Sequence, residues 1–222
     1  MSNRHVWVNG LRYYDCGQGR RYPGVTSVLD RTKSARDKAM LQNWRNRVGA
    51  EEAKRISKDA ACRGTAVHAA IEAHFKGEPH ELDPEYQGYW DSFGSAMAEL
   101  SPEYLEHFLY SEHYRYAGTT DCLGNFEGKL SVVDFKTSGK PKQDSWINDY
   151  YLQLAAYAGA AVERGLLPGV EQGVVIIALP DQPAQVFRLE VEELREYWIQ
   201  WRGRLTAFYD PTSDAYFQGV GA

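Results

Sequence analysis

Residues 118–137 read Gly-Thr-Thr-Asp-Cys-Leu-Gly-Asn-Phe-Glu-Gly-Lys-Leu-Ser-Val-Val-Asp-Phe-Lys-Thr. Two β-rich runs, 119–126 and 130–137, flank the turn Glu127-Gly128-Lys129, the pattern of an antiparallel hairpin. Each run carries one acid, Asp121 in the first and Asp134 in the second, so pairing can bring two carboxylates to one end of a sheet. Lys136 follows Asp134 by two, and side chains two apart in a strand share a face. Asp134 and Lys136 therefore project together, while Val133 and Phe135 face a core. An acid and a base on one face of a central strand are costly to bury unless they serve a purpose. For that spacing alone, a solvated Asp–Lys pair is the ordinary alternative.

The pattern continues on both sides. Residues 108–116 read as a third strand of the same meander. Downstream come a long Ala- and Tyr-rich helix over 146–164, a buried strand over 173–179, another strand over 184–189 and a closing amphipathic helix over 191–209. Trp198 and Trp201 on that last helix suit either a core or an interface. Upstream, 35–48, 51–75 and 84–100 read as helices, with Gly49 and Lys76-Gly77-Glu78-Pro79 as stops. At the start, 6–8 and 12–14 flank Asn9-Gly10, a hairpin signal, and Thr26 or Ser27 after Pro23-Gly24 suits a helix N-cap. Helices, meander, helix, strands, helix predicts an α/β chain with a mixed sheet flanked by helices and a helical N-terminal portion. With no repeat or linker to divide it, the expectation is one domain over 1–222. Within it, a ribbon and helices occupy 1–105, the core 106–209 and a tail 210–222.

Composition narrows the class. The chain has 222 residues, 43% of them hydrophobic, and a formal net charge of −5, enough to hide roughly 70% of its unfolded surface in a core. Its longest strictly apolar run, 174–179, falls far short of the ~20 residues a membrane helix needs, and residues 1–10 carry no apolar signal core. A soluble cytoplasmic protein is expected. Cys16, Cys62 and Cys122 are odd in number and far apart, so no disulfide framework is indicated, and three thiolates cannot complete a four-cysteine iron–sulfur cluster. The acidic total hides an asymmetry: residues 1–63 carry 14 Lys and Arg against 6 Asp and Glu, and residues 64–222 carry 11 against 24. On charge alone, scattered basic residues on helices read as solvated faces. Trp7, Tyr13, Tyr14, Tyr22 and Trp44 interleave with Arg12, Arg20, Arg21, Arg45 and Arg47. That mixture stacks bases and holds phosphates in single-strand binders, or equally makes a core and its rim.

Three further features accompany the Asp–Lys strand. His68 and Glu72 lie four apart on one face of a predicted helix, after Gly64-Thr65. Gly118-Thr119-Thr120 introduces Asp121, with glycine letting the backbone turn closely before the acid is presented on a strand. Gln153 and Tyr157 share a face of the helix after the strand. Each alone reads as ordinary packing. In order, Gly64-Thr65-x-x-His68, Gly118-x-x-Asp121, Asp134-Phe135-Lys136 and Gln153-x-x-x-Tyr157 resemble the RecB-type branch of the PD-(D/E)XK nuclease superfamily, and its phage and bacterial exonucleases in particular. The resemblance spans roughly residues 22–160, including the lead-in 23–29 and the helix of Trp44. The cysteines that hold an iron–sulfur cluster in some members are missing, which points to the cluster-free exonucleases.

What the resemblance implies is a restriction-endonuclease-like core that hydrolyses DNA phosphodiesters with Mg²⁺ or Mn²⁺. Asp121, Asp134, the Phe135 carbonyl and His68 would be metal ligands, and an imidazole among hard oxygens tilts preference toward Mn²⁺. Lys136 would orient or deprotonate the attacking water, and Gln153 and Tyr157 would orient the phosphate or the lysine. Glu72 would be an outer carboxylate. Arg20, Arg21, Trp44, Arg45 and Arg63 would contact DNA, with the basic first third threading a single strand from a free end. A monomer in a bacterial or phage-infected cell, working with replication or recombination proteins, completes the expectation. The rivals are a catalytically silent nucleic-acid binder on the same fold and a metal hydrolase of small phosphoesters.

Overall fold

In the computed structural model, which describes residues 5–210, the 118–137 stretch forms the centre of a five-stranded sheet. A small antiparallel sheet comes first, of β1 (His5–Val8), β2 (Leu11–Asp15) and β3 (Arg21–Pro23), its first turn made by Asn9 and Gly10, both at positive φ. Then follow α1 (Val25–Arg31), α2 (Ala35–Val48), α3 (Ala50–Lys76), α4 (Gln87–Ser92) and α5 (Gly94–Ala98). The main sheet runs β4 (Leu100–Ser111), β5 (Tyr116–Phe126), β6 (Lys129–Thr137), then α6 (Asn148–Glu163), β7 (Gln172–Leu179), β8 (Gln182–Glu190) and α7 (Val191–Tyr209). Its spatial order is β4-β5-β6-β7-β8, with β6 and β7 parallel across α6 and every other neighbour antiparallel.

Both faces of this sheet are covered, which is why β7 is apolar without alternation and buried along its whole length. Val175 and Ile177 join Val132, Leu123 and Trp201 in the core under α1, α6 and α7. Val174, Ile176, Val133 and Phe135 join Val67, Ile71 and Phe93 in the core under α3, α4 and α5. Asp134 and Lys136 thus lie on the α6 side and Phe135 on the α3 side, as strand alternation predicts. Trp201 is fully buried, whereas Trp198 is half-buried against Tyr114. The three cysteines are free thiols.

The structure corrects several boundaries. The predicted strand 108–116 is interrupted: β4 starts at Leu100 and ends at Ser111, and a turn over 112–115 leads to β5. That turn is closed from a distance by the Glu163 carboxylate, which accepts from the N–H groups of Glu112 and His113 at 2.8 and 3.1 Å. The predicted helix 84–100 is a 3-10 turn (Pro84–Tyr86) followed by α4 and α5, broken at buried Phe93. Gly24, rather than Thr26 or Ser27, is the N-cap of α1; the Ser27 hydroxyl accepts from the Arg12 N–H instead.

Candidate active site

The site forms where β5 and β6 part. Their ladder pairs Cys122 with Val133, and the next residues outward are Asp121 and Asp134. There the Asp121 carboxylate replaces the ladder, its Oδ2 accepting from the Phe135 N–H at 2.8 Å. Asp134 is 1% exposed and neither carboxylate oxygen accepts a well-aligned hydrogen bond; its compensation is an ion pair with the Lys136 ammonium. Burial raises the Asp134 carboxyl above its ordinary range, with the Lys136 charge opposing and Asp121 assisting. Asp134 in turn raises the lysine against its own burial. Lys136 also faces the ring of Tyr150, 5.2 Å from the centroid, at the start of α6.

From the other side α3 delivers His68. Its Nε2 lies 3.0 Å from the Phe135 carbonyl oxygen, and its Nδ1 lies 3.1 Å from Glu106 Oε1 and 3.7 Å from Asp121 Oδ1. Burial works against charge on the ring, but the Asp121 carboxylate and the Glu106 hydrogen bond outweigh it and raise His68 to about 9. At neutral pH the ring is therefore an imidazolium donating from both nitrogens. Ligand atoms of His68, Glu106 and Asp121 lie within 4.8 Å of one another.

Glu106 has no counterpart in the sequence reading. It stands in mid-strand on β4 with φ of +44°, a left-handed conformation that costs a non-glycine residue about 1–3 kcal/mol. The flanking pairs Leu105–Cys122 and His107–Thr120 hold that strand in place, and the twist at Glu106 carries its carboxylate to His68. Its neighbours in sequence bear no turn or metal signature, so only the pairing of β4 with β5 reveals it.

Gln153 and Tyr157 are buried one turn apart on α6. Burial first, then Tyr14 and the Asp121 and Asp134 carboxylates, hold the Tyr157 hydroxyl well above its ordinary range. Gly118 has a reason of its own: a Cβ there would come within 2.8 Å of Tyr157 Cε1 and Oη. The glycine makes room for the tyrosine ring, rather than bending the chain before Asp121.

The remaining predicted residues scatter. Glu72 pairs with Lys76 at 2.5 Å and shares with His68 and Glu106 a cleft of about 770 Å³ between α3 and β4. Arg63, on α3, reaches the end of β6, donating to Thr137 Oγ1 at 3.0 Å with its guanidinium 4.6 Å from the Tyr89 ring centroid. Trp44 is half-buried and Arg45 exposed on α2, which has no fully buried residue. Arg21 is exposed on β3. Arg20 is engaged by Glu112 at 2.7 Å, six residues beyond Glu106 and so ~20 Å along the strand from the site.

The donor set fits a hard divalent cation: the Asp121 and Glu106 carboxylates and the His68 imidazole converge beside the Phe135 carbonyl, while Asp134, held by the Lys136 ammonium, stands outside that group of three. Fold and site together define a mixed-sheet protein with paired carboxylates and a lysine at a strand end. The sequence profile of the PD-(D/E)XK nuclease superfamily matches residues 85–218, and the chain belongs to that superfamily. It is similar to proteins named mitochondrial genome maintenance exonuclease 1. The human protein is 30% identical over 202 residues, 84% of this chain and 58% of its own length. The mouse protein is 28% identical over 204 residues, covering 86% and 60%, and the Xenopus tropicalis protein 26% over 199 residues, covering 84% and 57%. The chain thus spans about three fifths of the length of these curated relatives. Among the described residues, no helix is long and apolar enough to cross a membrane.

Proposed function

We propose that this chain hydrolyses DNA phosphodiester bonds with a divalent cation, working from strand ends and preferring single strands. The observation that carries the reading is the meeting of Asp121, Asp134 and Lys136 at the parting of β5 and β6, with His68 and the Phe135 carbonyl set against them. Asp121, Asp134, the Phe135 carbonyl and His68 would hold Mg²⁺ or Mn²⁺, the imidazole favouring Mn²⁺. The bound cation would supply Lewis acidity toward the phosphoryl oxygens and a water of lowered pKa. Lys136, released from Asp134, would hold the attacking water and offset charge on the phosphoryl oxygens. Tyr150 keeps the ammonium near the site by facing it with its ring. Gln153 and Tyr157 brace the α6 side, and Glu106 fixes the imidazole by holding Nδ1 while Nε2 faces Phe135.

End-directed action draws support from the word exonuclease in the relatives' name, and the preference for single strands from the basic, aromatic first third. Helix α2 stands away from the core, and between it and α3 lies a groove of about 520 Å³ lined by Gln42, Arg45, Asn46 and Lys54. A monomer acting on DNA with free ends is the working unit in this reading. The test is a time course on end-labelled single- and double-stranded DNA and on a closed single-stranded circle, with Mg²⁺, Mn²⁺ or EDTA, for the native chain and Asp134→Ala. Metal-dependent loss of linear DNA, absent in the variant and slow on the circle, is expected. Equal cutting of circle and line would refute end-directed action, and binding without cleavage under either metal would refute the nuclease.

A further inference from the structure

Beyond Lys136 the chain leaves the sheet through residues 138–147, and this segment presents an uncovered indole on the connection between the strand of Lys136 and the helix of Tyr150. Trp146 ends the 3-10 turn Asp144–Trp146 and is 63% exposed. An indole carries a large apolar face, and holding it in water is unfavourable unless a partner covers it at some stage of function. The segment is firmly anchored. The Gln185 side chain of β8 brackets Lys142, accepting from its N–H at 2.7 Å and donating to its carbonyl at 3.0 Å. The Tyr151 hydroxyl donates to Asp144, and Ile147, the next residue, is 1% exposed. Trp146 is therefore held outward by backbone fixed on both sides, so covering its ring requires little further ordering.

Position and charge say what would cover it. Tyr150, four residues after Trp146 and across one turn of chain, is the ring that faces the Lys136 ammonium. Ile147 separates the 3-10 turn from α6, and the Tyr150 N–H donates to the Ile147 carbonyl at 2.9 Å, so the indole stands at the entry to the helix that carries this ring. Lys140 and Lys142 have no ion-pair partner among the described residues, Asp149 pairs with Arg204 at 3.4 Å, and Asp144 keeps its charge while accepting from the neutral Tyr151 hydroxyl, so the two lysines outnumber the one unpaired acid. The charge left uncompensated beside the indole is positive. A flat ring flanked by free ammonium groups fits an unpaired base with its phosphates. An apolar protein surface would have to desolvate those lysines.

We infer that Trp146 stacks on a nucleobase of a single strand bound at the active site, with Lys140 and Lys142 on the adjoining phosphates. The inference rests on the nuclease reading for its substrate. Its test measures binding separately from cleavage, using the full chain, Trp146→Ala, Trp146→Phe and a short fluorescein-labelled single strand in EDTA. Trp146→Ala weakens binding by roughly 5- to 150-fold, the worth of one base–aromatic stack, while Trp146→Phe keeps most of the affinity. The ring is exposed, so melting temperature stays native. Moving a single abasic site along the strand weakens the native chain most at one position, and Trp146→Ala is insensitive there.

Native affinity in Trp146→Ala, a uniform effect of abasic sites, or no binding of single strands at all would each overturn the inference. So would a change in sedimentation without a change in DNA affinity, which would assign the ring to a protein interface. Stacking without cleavage under either metal would leave the inference standing and remove the nuclease reading; cleavage with an indifferent Trp146 would do the reverse.

Discussion

Glu106→Gln removes one negative charge from beside His68 while keeping the shape of the side chain. The contact it changes, Nδ1 to Oε1 at 3.1 Å, joins a charged donor to a charged acceptor in a half-buried place. Such a bond contributes about 1.5–3 kcal/mol. Removing the outer partner of a metal-binding histidine costs roughly 10–100-fold in metal affinity, and at about 1.4 kcal/mol per tenfold the two ranges coincide. The amide retains an acceptor oxygen, so Glu106→Gln falls at the lower end and Glu106→Ala at the upper. The assay is calorimetric titration of the metal-free chain with Mn²⁺, with imidazole nitrogen NMR shifts reporting which ring atom carries a proton in the loaded protein. Glu106→Gly separates function from strain: it relieves the φ of +44° and keeps or raises the melting temperature, yet loses Mn²⁺ affinity like Glu106→Ala. Native Mn²⁺ affinity in Glu106→Ala, with native His68 nitrogen shifts, would refute the reasoning.

Two glycines of the sequence motifs make opposite predictions. Gly118→Ala forces a Cβ to 2.8 Å from the buried Tyr157 ring, an overpacking that costs about 1–3 kcal/mol. At roughly 2–4 °C per kcal/mol for a chain of this size, calorimetry should show the melting temperature fall accordingly, with part of the loss recovered by Tyr157→Phe in the same chain. Gly64→Ala meets nothing within 4 Å and removes a mid-helix glycine, so it should stabilise the free protein by about 0.5–1 kcal/mol in urea unfolding. It should also weaken DNA binding in an anisotropy assay, because Gly64 lines the cleft beside His68. A stabilised Gly64→Ala with native DNA affinity would take this face of α3 out of the substrate path.

The parts of this fold that are legible in the sequence are those whose cause is local. The hairpin of β5 and β6 shows itself because strand alternation and the Glu127-Gly128 turn agree, and that hairpin places Asp121, Asp134 and Lys136. Apolar β7 shows itself by length and β-branching. Elements whose cause is distant do not. The turn over 112–115 contains no glycine or proline and depends on Glu163, some fifty residues later. The break at Phe93 is hidden because Tyr89, Phe93, Ala96 and Met97 keep helical spacing across it and share one core. Glu106 is hidden most completely, since its carboxylate reaches His68 only through strand pairing and an unusual φ.

The same three-sided contact of His68 decides how the site responds to pH. An imidazolium raised to about 9 cannot offer a nitrogen lone pair until it loses a proton, so below that pH each cation bound through His68 expels one. His68 alone should therefore make affinity rise about tenfold per pH unit up to about 9, and more steeply below about 7, where Asp134 must also ionise. The metal-free chain moves the other way. Because the folded pKa of His68 lies above its ordinary 6.5, its contribution to stability is complete below about 6.5 and fades as pH rises through about 9. Asp134 is also raised, by burial with Lys136 opposing, so its contribution is complete below about 3.8 and fades as pH rises above that. Both groups make the metal-free protein less stable toward alkaline pH, and a saturating cation would take the lone pair that His68 then offers and the charge that Asp134 then carries. Melting temperatures in EDTA and in excess Mn²⁺, from about pH 6 to pH 9, should diverge with rising pH, and calorimetry in buffers of different ionisation enthalpy should detect the released proton. A gap that stays constant, with no proton released, would mean that neither His68 nor Asp134 meets the cation.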